Sequence, residues 1–418
     1  MKHSALYASL LSALVITACG KSEPPAPPKP AESATPAPAP APAVEVVKIG
    51  HVAPLTGSIA HLGKDNENGA VLAIDDANAK GIEIGGKKVK FELVPEDDQA
   101  DPKVGTVVAQ KLVDAKVAGV IGHLNSGTTI PASKLYSDAN IPQISGSATN
   151  PKYTQQGFKT AFRVMANDIQ QGGVLGNFIA KDLKAKNVAI IDDRTAYGQG
   201  LADEVEKAAK AAGAKIVARE FTTDKATDFK AILTNIKGKK PDVIFHGGMD
   251  ATGAPMLKQM RELGLKAQLL QGDGGCTPEF IKIAGEAANG FKCSQAGLPV
   301  DKMPNAKDFK ERFEKRFGQI QIYSPYTYDA TMVLISAMQK ANSTDPAKYL
   351  PELAKISHDG VTAKVEFDEK GDIKAGYITL YEVKGGKLEV LSTHSSGGEA
   401  PAAAATPAAT PAAAPAGK

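Results

Sequence analysis

Between Val46 and Leu270 the chain alternates short runs of β-formers with stretches whose apolar residues recur at helical spacing, and the rhythm runs twice. The first series reads as strand Val46–Val52, helix Asn68–Asn78 stopped at Gly81, strand Val89–Val94, helix Val104–Val113, strand Ala118–Ile121, helix Ser126–Ala139 and strand Ile141–Ile144. It restarts after Arg163. Helix Ile169–Leu183, strand Val188–Ile191, helix Leu201–Ala212, strand Lys215–Phe221, helix Asp228–Ile236, strand Val243–Phe245, helix Pro255–Leu263 and strand Ala267–Leu270 follow. Beyond them come helices Phe309–Phe317 and Tyr326–Lys340, then strand-like Val365–Phe367, Tyr377–Val383 and Leu388–Leu391. Strands separated by helices of this length close as right-handed βαβ crossovers, giving parallel sheets covered on both faces. Two such series predict an α/β protein of two doubly wound lobes. Ligands of such proteins bind in the cleft at the strand ends.

The ends do not share this pattern. Of 27 prolines, nine lie between Pro24 and Pro42 and four between Pro401 and Pro415. Residues 21–43, rich in Pro and Ala, cannot bury enough apolar surface to offset the entropy of ordering, so they read as an extended tether. Residues 395–418 read as a disordered Ala/Pro tail on the same argument. Before the tether, Lys2 and His3, an apolar stretch from Ala5 to Ile16, and small Thr17-Ala18 describe a secretory signal over residues 1–18. The apolar stretch is too short to span a bilayer. Ile16-Thr17-Ala18-Cys19-Gly20 resembles a bacterial lipobox, which implies that Cys19 carries lipid and that residues 19–43 form anchor and tether.

Charge is balanced, Lys+Arg 49 against Asp+Glu 46, which speaks against a nucleic-acid partner. Nothing catalytic assembles. Seven histidines are scattered, without H-E-x-x-H or C-x-x-C spacing, so no metal is expected. Gly-Gln-Gly after Tyr197 lacks the third glycine and the later acidic residue of a dinucleotide site, so no cofactor is expected, and no G-x-S-x-G elbow occurs. The chemistry lies at strand ends instead. Ser126 and Thr128 follow one strand and open a helix; Ser145, Ser147 and Thr149 follow the next. Unpaired N–H groups and the dipole at a helix start, with a hydroxyl added, suit an anion. Taken alone, either cluster reads as ordinary helix capping before it reads as a ligand site.

Longer runs carry a resemblance. Gly122-His123-Leu124-Asn125-Ser126 with Pro131-Ala132-Ser133, Ser147-Ala148-Thr149 and Tyr197-Gly198-Gln199-Gly200 resemble the branched-chain amino acid binding proteins of bacterial ABC importers. So do Pro54-Leu55-Thr56-Gly57, Ala77-Asn78-Ala79-Lys80-Gly81, Asp97-Asp98 with Asp101-Pro102, and Tyr328-Asp329-Ala330, in register from about Val46 to Leu391. The resemblance implies the type I periplasmic binding protein fold, two Rossmann-like lobes joined by three crossovers. It places residues 46–166 plus 297–375 in one lobe and 167–296 plus 376–394 in the other. It implies that Ser126 and the segment Ser147-Ala148-Thr149 hold a ligand carboxylate, while Thr149 and Asp273 hold its ammonium. It also implies that Tyr197 covers the ligand and that Leu62, Met249 and Tyr323 line its side-chain pocket. Leu62 stands where the family often has an aromatic residue, and Asp273 where it often has Glu. A cysteine pair of some members falls on Ala100 and Asn125, so that bridge is absent.

The remaining cysteines, Cys276 and Cys293, are expected to pair in an oxidising compartment. The whole reads as an exported, lipid-anchored, monomeric periplasmic protein that binds a small, branched-chain or apolar amino acid for an inner-membrane ABC permease. Two alternatives stay open: a binder of a small amide, urea or organic acid, and a ligand-sensing receptor component.

Overall fold

The computed structural model describes residues 44–395; the signal, Cys19, the tether and the tail from residue 396 lie outside the described residues. The first sheet is built from β1 (Glu45–Ala53), β2 (Glu83–Ile84), β3 (Lys87–Asp97), β4 (Val120–Gly122), β5 (Gln143–Ser145) and β6 (Ala161–Arg163). Its helices are α1 (Ala60–Ala79), α2 (Pro102–Asp114) and α3 (Ser126–Asp138). The order is β2-β3-β1-β4-β5-β6, parallel except for β2.

The second sheet carries β7 (Asn187–Asp192), β8 (Lys215–Phe221), β9 (Val243–Gly247), β10 (Gln268–Gln271) and β11 (Lys292–Gln295), wound with α4 (Asp168–Asn177), α5 (Ala196–Ala211), α6 (Lys230–Lys237), α7 (Asp250–Glu262) and α8 (Pro278–Ala284). The chain then returns to the first lobe as α9 (Ala306–Phe317), α10 (Ser324–Lys340), α11 (Pro346–Ala354) and the hairpin β12 (Ser357–Asp359) and β13 (Lys364–Glu366). It ends in the second sheet as antiparallel β14 (Tyr377–Lys384) and β15 (Lys387–Ser395), giving the order β15-β14-β11-β10-β9-β7-β8. Three passages therefore join the lobes, after β6, β11 and β13.

In each sheet the parallel strands run in the doubly wound order 2-1-3-4-5, reversing between β1 and β4 and between β7 and β9. The crevice beyond the strand ends at such a reversal is where α/β proteins bind ligands. Central strands are buried on both faces, Ile49, Val120 and Ile121 in one sheet and Ile190, Ile244 and Phe245 in the other.

Several elements depart from the sequence expectations. Helix α1 begins at Ala60, not Asn68. Its Gly63 and Gly69 weaken the helical signal, but a Cβ there would lie 1.9 Å from the Pro54 carbonyl oxygen and 2.2 Å from that of Ser324. Tertiary close approach fixes those glycines. The expected helix Ile169–Leu183 is α-helical only to Asn177 and closes in a π-turn over Phe178–Asp182. Strand Ala118–Ile121 runs instead from Val120 to Gly122, and Val365–Phe367 pairs as Lys364–Glu366. Strands β6 and β11 and helices α8 and α11 carry no clear periodicity and were not expected. Strand β15 continues through Ser395, one residue into the expected tail.

Cys276 and Cys293 form a disulfide, with Cα atoms 5.3 Å apart. It ties the turn after β10 to its neighbour β11, so it braces the loop that carries Asp273.

Candidate functional site

Asp273 opens a one-turn 3-10 helix after β10 and is buried. Gln171 Nε2 and Tyr197 OH donate to its Oδ1 at 2.8 and 2.9 Å, and Tyr323 OH donates to Oδ2 at 2.8 Å. The flanking glycines make this packing possible. A Cβ on Gly272 would sit 2.8 Å from Tyr197 OH, and one on Gly274 2.5 Å from the Met249 sulfur. The Gly-Asp-Gly-Gly run thus admits the side chains of Tyr197 and Met249 against the backbone. Burial pushes the Asp273 carboxyl up, with the three donors opposing it.

Tyr323 belongs to the first lobe and is held in place by Asp65. That buried carboxylate of α1 accepts backbone N–H groups from Gln321, Ile322, Tyr323 and Ser324, at 2.7 to 3.1 Å, at the start of α10. The Tyr323–Asp273 bond therefore crosses from one lobe to the other. So does a second link, His61 Nε2 to Asp250 Oδ2 at 2.7 Å, with Thr277 donating to the same oxygen. Burial works against a protonated His61, but the Asp250 hydrogen bond and charge outweigh it and its pKa is raised.

A second carboxylate was missed in the sequence. Asp168, in the first turn of α4, is fully buried, and among the described residues neither its oxygens nor Thr149 Oγ1 has a partner at full hydrogen-bond geometry, although Thr149 and Gln171 lie near enough to influence the carboxyl. The Asp168 backbone N–H donates to the Thr149 carbonyl at 2.9 Å, so the two side chains start from adjoining backbone. Burial first, then the negative charge of Asp273, push the Asp168 carboxyl up to about 8; Thr149, Arg163 and Gln171 pull the other way. Among the described residues no Lys or Arg forms an ion pair with Asp168 or Asp273, while Arg163 is spent on Asp372. Two buried carboxylates without a cation are costly, and a bound cation relieves that cost.

The hydroxyl cluster belongs to the first lobe and adjoins Asp168 through the Thr149 backbone. Ser126 opens α3, whose first backbone bond is Thr128 N–H to Asn125 at 3.1 Å, so the amides of Ser126 and Gly127 precede the helical ladder. Ser126 Oγ accepts the Asn150 N–H at 3.2 Å. Ser145 Oγ accepts the Ala148 N–H at 2.9 Å, and Ser147 Oγ accepts Asn66 Nδ2 at 3.0 Å, which curl the Ser147–Thr149 segment. Arg163 holds its far side, donating to the carbonyls of Ala148 and Asn150 at 3.0 and 2.9 Å. Leu62 is fully buried in the first-lobe core, and Met249 is half-buried at the start of α7, packed against cores of both lobes. Gln171 was also missed: it is fully buried, donates to Asp273, and receives both the Asp273 N–H and the Ser294 hydroxyl.

Two lobes wound about parallel sheets, bridged at buried polar groups, have the architecture of a two-lobed binding protein. The chain belongs to the family described as "Periplasmic binding protein", whose profile matches residues 46–387. It is 38% identical over 339 residues to an amino acid binding protein of Pseudomonas aeruginosa, covering 80% of this chain and 90% of that one. It is likewise 38% identical over 343 residues to Leu/Ile/Val-binding protein homolog 1 of Brucella abortus, covering 81% and 91%. Among solved structures it resembles the leucine-binding protein LivK of Thermotoga maritima, with TM-score 0.76, 28% identity and coverage of 83% and 98%. It also resembles LivJ of Streptococcus pneumoniae in complex with isoleucine, with TM-score 0.75, 27% identity and coverage of 84% and 99%. The fold is that of type I periplasmic binding proteins, and the family is one of exported binding proteins, not enzymes.

Proposed function

We propose that this protein is the substrate-binding component of an ABC importer and captures a small α-amino acid, branched-chain or otherwise apolar, between two closing lobes. The observation that carries the reading is the acid pair Asp168 and Asp273, buried with no ion pair to a Lys or Arg among the described residues, together with the amides of Ser126 and Gly127 that precede the helical ladder of α3. An α-ammonium answers the first and an α-carboxylate the second. Thr149 reaches both. Ser126 and the Ser147-Ala148-Thr149 segment hold the carboxylate, Tyr197 covers the ligand, and Leu62, Met249 and Tyr323 border its side chain. The relatives named above as amino acid, Leu/Ile/Val and leucine binders support the same ligand class. A urea, amide or simple acid offers no cation for two buried carboxylates, which places those ligands second. A receptor component would need a signalling partner for which no residue speaks.

The test is calorimetric titration with a panel of amino acids. Branched-chain members are expected to bind, and at 100 times the dissociation constant a ligand adds about 2.7 kcal/mol of stability. Binding should also release a proton near neutral pH. Asp168 is raised from the ordinary carboxylate value to about 8, so it holds a proton until an ammonium arrives beside it. Without ligand, the unfolded chain ionises this group first, and its contribution erodes stability as pH climbs from about 4 to about 8. Titrations in two buffers of unequal ionisation heat should give different apparent enthalpies. Equal enthalpies would rule out the proton coupling, and no binding by any amino acid would overturn the function.

The protein is further proposed to be a monomer, anchored through lipid on Cys19 and held off the membrane by the Pro/Ala-rich tether, where it meets an inner-membrane permease. Support comes from Ile16-Thr17-Ala18-Cys19 at the end of the apolar stretch. Cys19→Ala should move the protein from the membrane to the soluble fraction of lysed cells; a variant that stays membrane-bound refutes the anchor.

A further inference from the structure

A cavity of about 560 Å³ lies beside the amino acid site, bounded by Tyr197 and Met249, the two residues that also pack around the Asp273 loop. Ligand pockets of roughly 300–1,000 Å³ hold molecules well beyond a four-carbon side chain. Two of its lining residues each carry an oxygen that no hydrogen bond from the described residues reaches. Asn125 stands at the N-cap of α3, where Asn normally bonds a backbone N–H, yet its side chain makes no capping bond. Its Oδ1 is buried and has no partner at all. From the second lobe, Asp193 lines the same cavity and is 3% exposed. Its Oδ1 takes the Thr195 N–H and hydroxyl at 2.9 and 2.6 Å, while among the described residues no hydrogen bond is made to Oδ2. Both unpartnered atoms are acceptors.

The cations on this wall do not answer them. Arg194 stacks on the Phe221 ring at 3.8 Å, and Lys225 is exposed.

We propose that this cavity is a second subsite of the amino acid site, in which Asn125 and Asp193 take the end of a longer side chain that carries N–H donors, so that the protein's range extends past branched-chain ligands to amino acids of the glutamine, lysine and arginine type. The inference rests on the amino acid reading above. Side chains ending in methyl groups reach the cavity without meeting either acceptor, so length alone gains little. A carboxamide, ammonium or guanidinium end reaches both lobes at once and stabilises closure from a second point.

The test is titration of the full folded chain with leucine, norleucine, glutamine, lysine and arginine, repeated on Asn125→Ala and Asp193→Asn. Asp193→Asn keeps an oxygen for the Thr195 turn. At least one N–H-ended ligand should bind more tightly than norleucine. Each variant should weaken that ligand about tenfold, the loss of one hydrogen bond, while leucine affinity holds and reports an intact fold. Leucine binding with no measurable binding of glutamine, lysine or arginine overturns the subsite and leaves the amino acid reading standing. So does binding of those ligands that neither variant weakens relative to leucine. Failure of every ligand, leucine included, overturns the amino acid reading itself and the subsite with it.

Discussion

Asp273→Asn is expected to weaken amino acid binding by about 30-fold to several thousandfold while raising the melting temperature of the ligand-free protein. The two effects share one cause. Asp273 is buried without a cation, and its carboxyl is pushed up by that burial. A buried, unpaired charge costs stability in the free protein, and the cost is recovered only when an ammonium arrives. Removing one partner of a buried, hydrogen-bonded charge pair costs roughly 2–5 kcal/mol of binding, which is the fold-change given. Asparagine keeps one acceptor oxygen for Gln171 or the phenols, so the loop is expected to hold. Loss of Ser126 Oγ should matter less, about 1–3 kcal/mol on Ser126→Ala, because the amides at the start of α3 remain. The measurement is paired calorimetry and thermal unfolding of both variants. Unchanged affinity in Asp273→Asn would remove the ammonium assignment; weakened affinity without the gain in free stability would mean that the loop itself had been damaged.

How far the sequence reaches depends on whether the signal is local. The paired βαβ rhythm is local, and most of the parallel strands and helices follow from it. The polar strand ends are local too, and Ser126 and Thr149 could be singled out for that reason, whereas Asp273 came from the resemblance. Other features belong only to the assembled chain. Gly63 and Gly69 read as helix weakeners because the Pro54 and Ser324 carbonyls that need them are remote in sequence or outside the helix. Strand β11, Lys292-Cys293-Ser294-Gln295, has no apolar alternation because its partners β10 and β14 supply its setting. Asp168 was hidden by a cap-like Asn167-Asp168 pair at a helix start, where an acidic residue is ordinary. Its place at the restart of the strand–helix rhythm, where the chain passes between lobes, was the available clue. Asp65 and Gln171 had none: one holds Tyr323 and the other Asp273 through contacts across 258 and 102 residues.

The least legible feature should have the largest effect on stability. Arg163 is fully buried at the end of β6, where the chain leaves the first lobe, and its guanidinium meets Asp372, near the last passage between the lobes. Its Nη1 holds the Ala148 and Asn150 carbonyls and Nη2 donates to Thr154, while Asn167 and Thr154 complete the shell of Asp372. One side chain thus ties two interlobe passages to the segment proposed to hold the ligand. Arg163→Met would leave the Asp372 charge largely buried and strip two carbonyls of their donor. Breaking one side of such a pair costs about 3–5 kcal/mol, whereas replacing both sides costs much less than the sum. Equilibrium urea unfolding of Arg163→Met, Asp372→Asn and the double variant therefore should show strong non-additivity, with the double variant recovering part of the loss. Additive losses would mean that the two residues act independently. Affinity separates the roles further. The double variant should regain stability but not binding, because the Ala148 and Asn150 carbonyls stay unheld and the Ser147–Thr149 segment is free to shift.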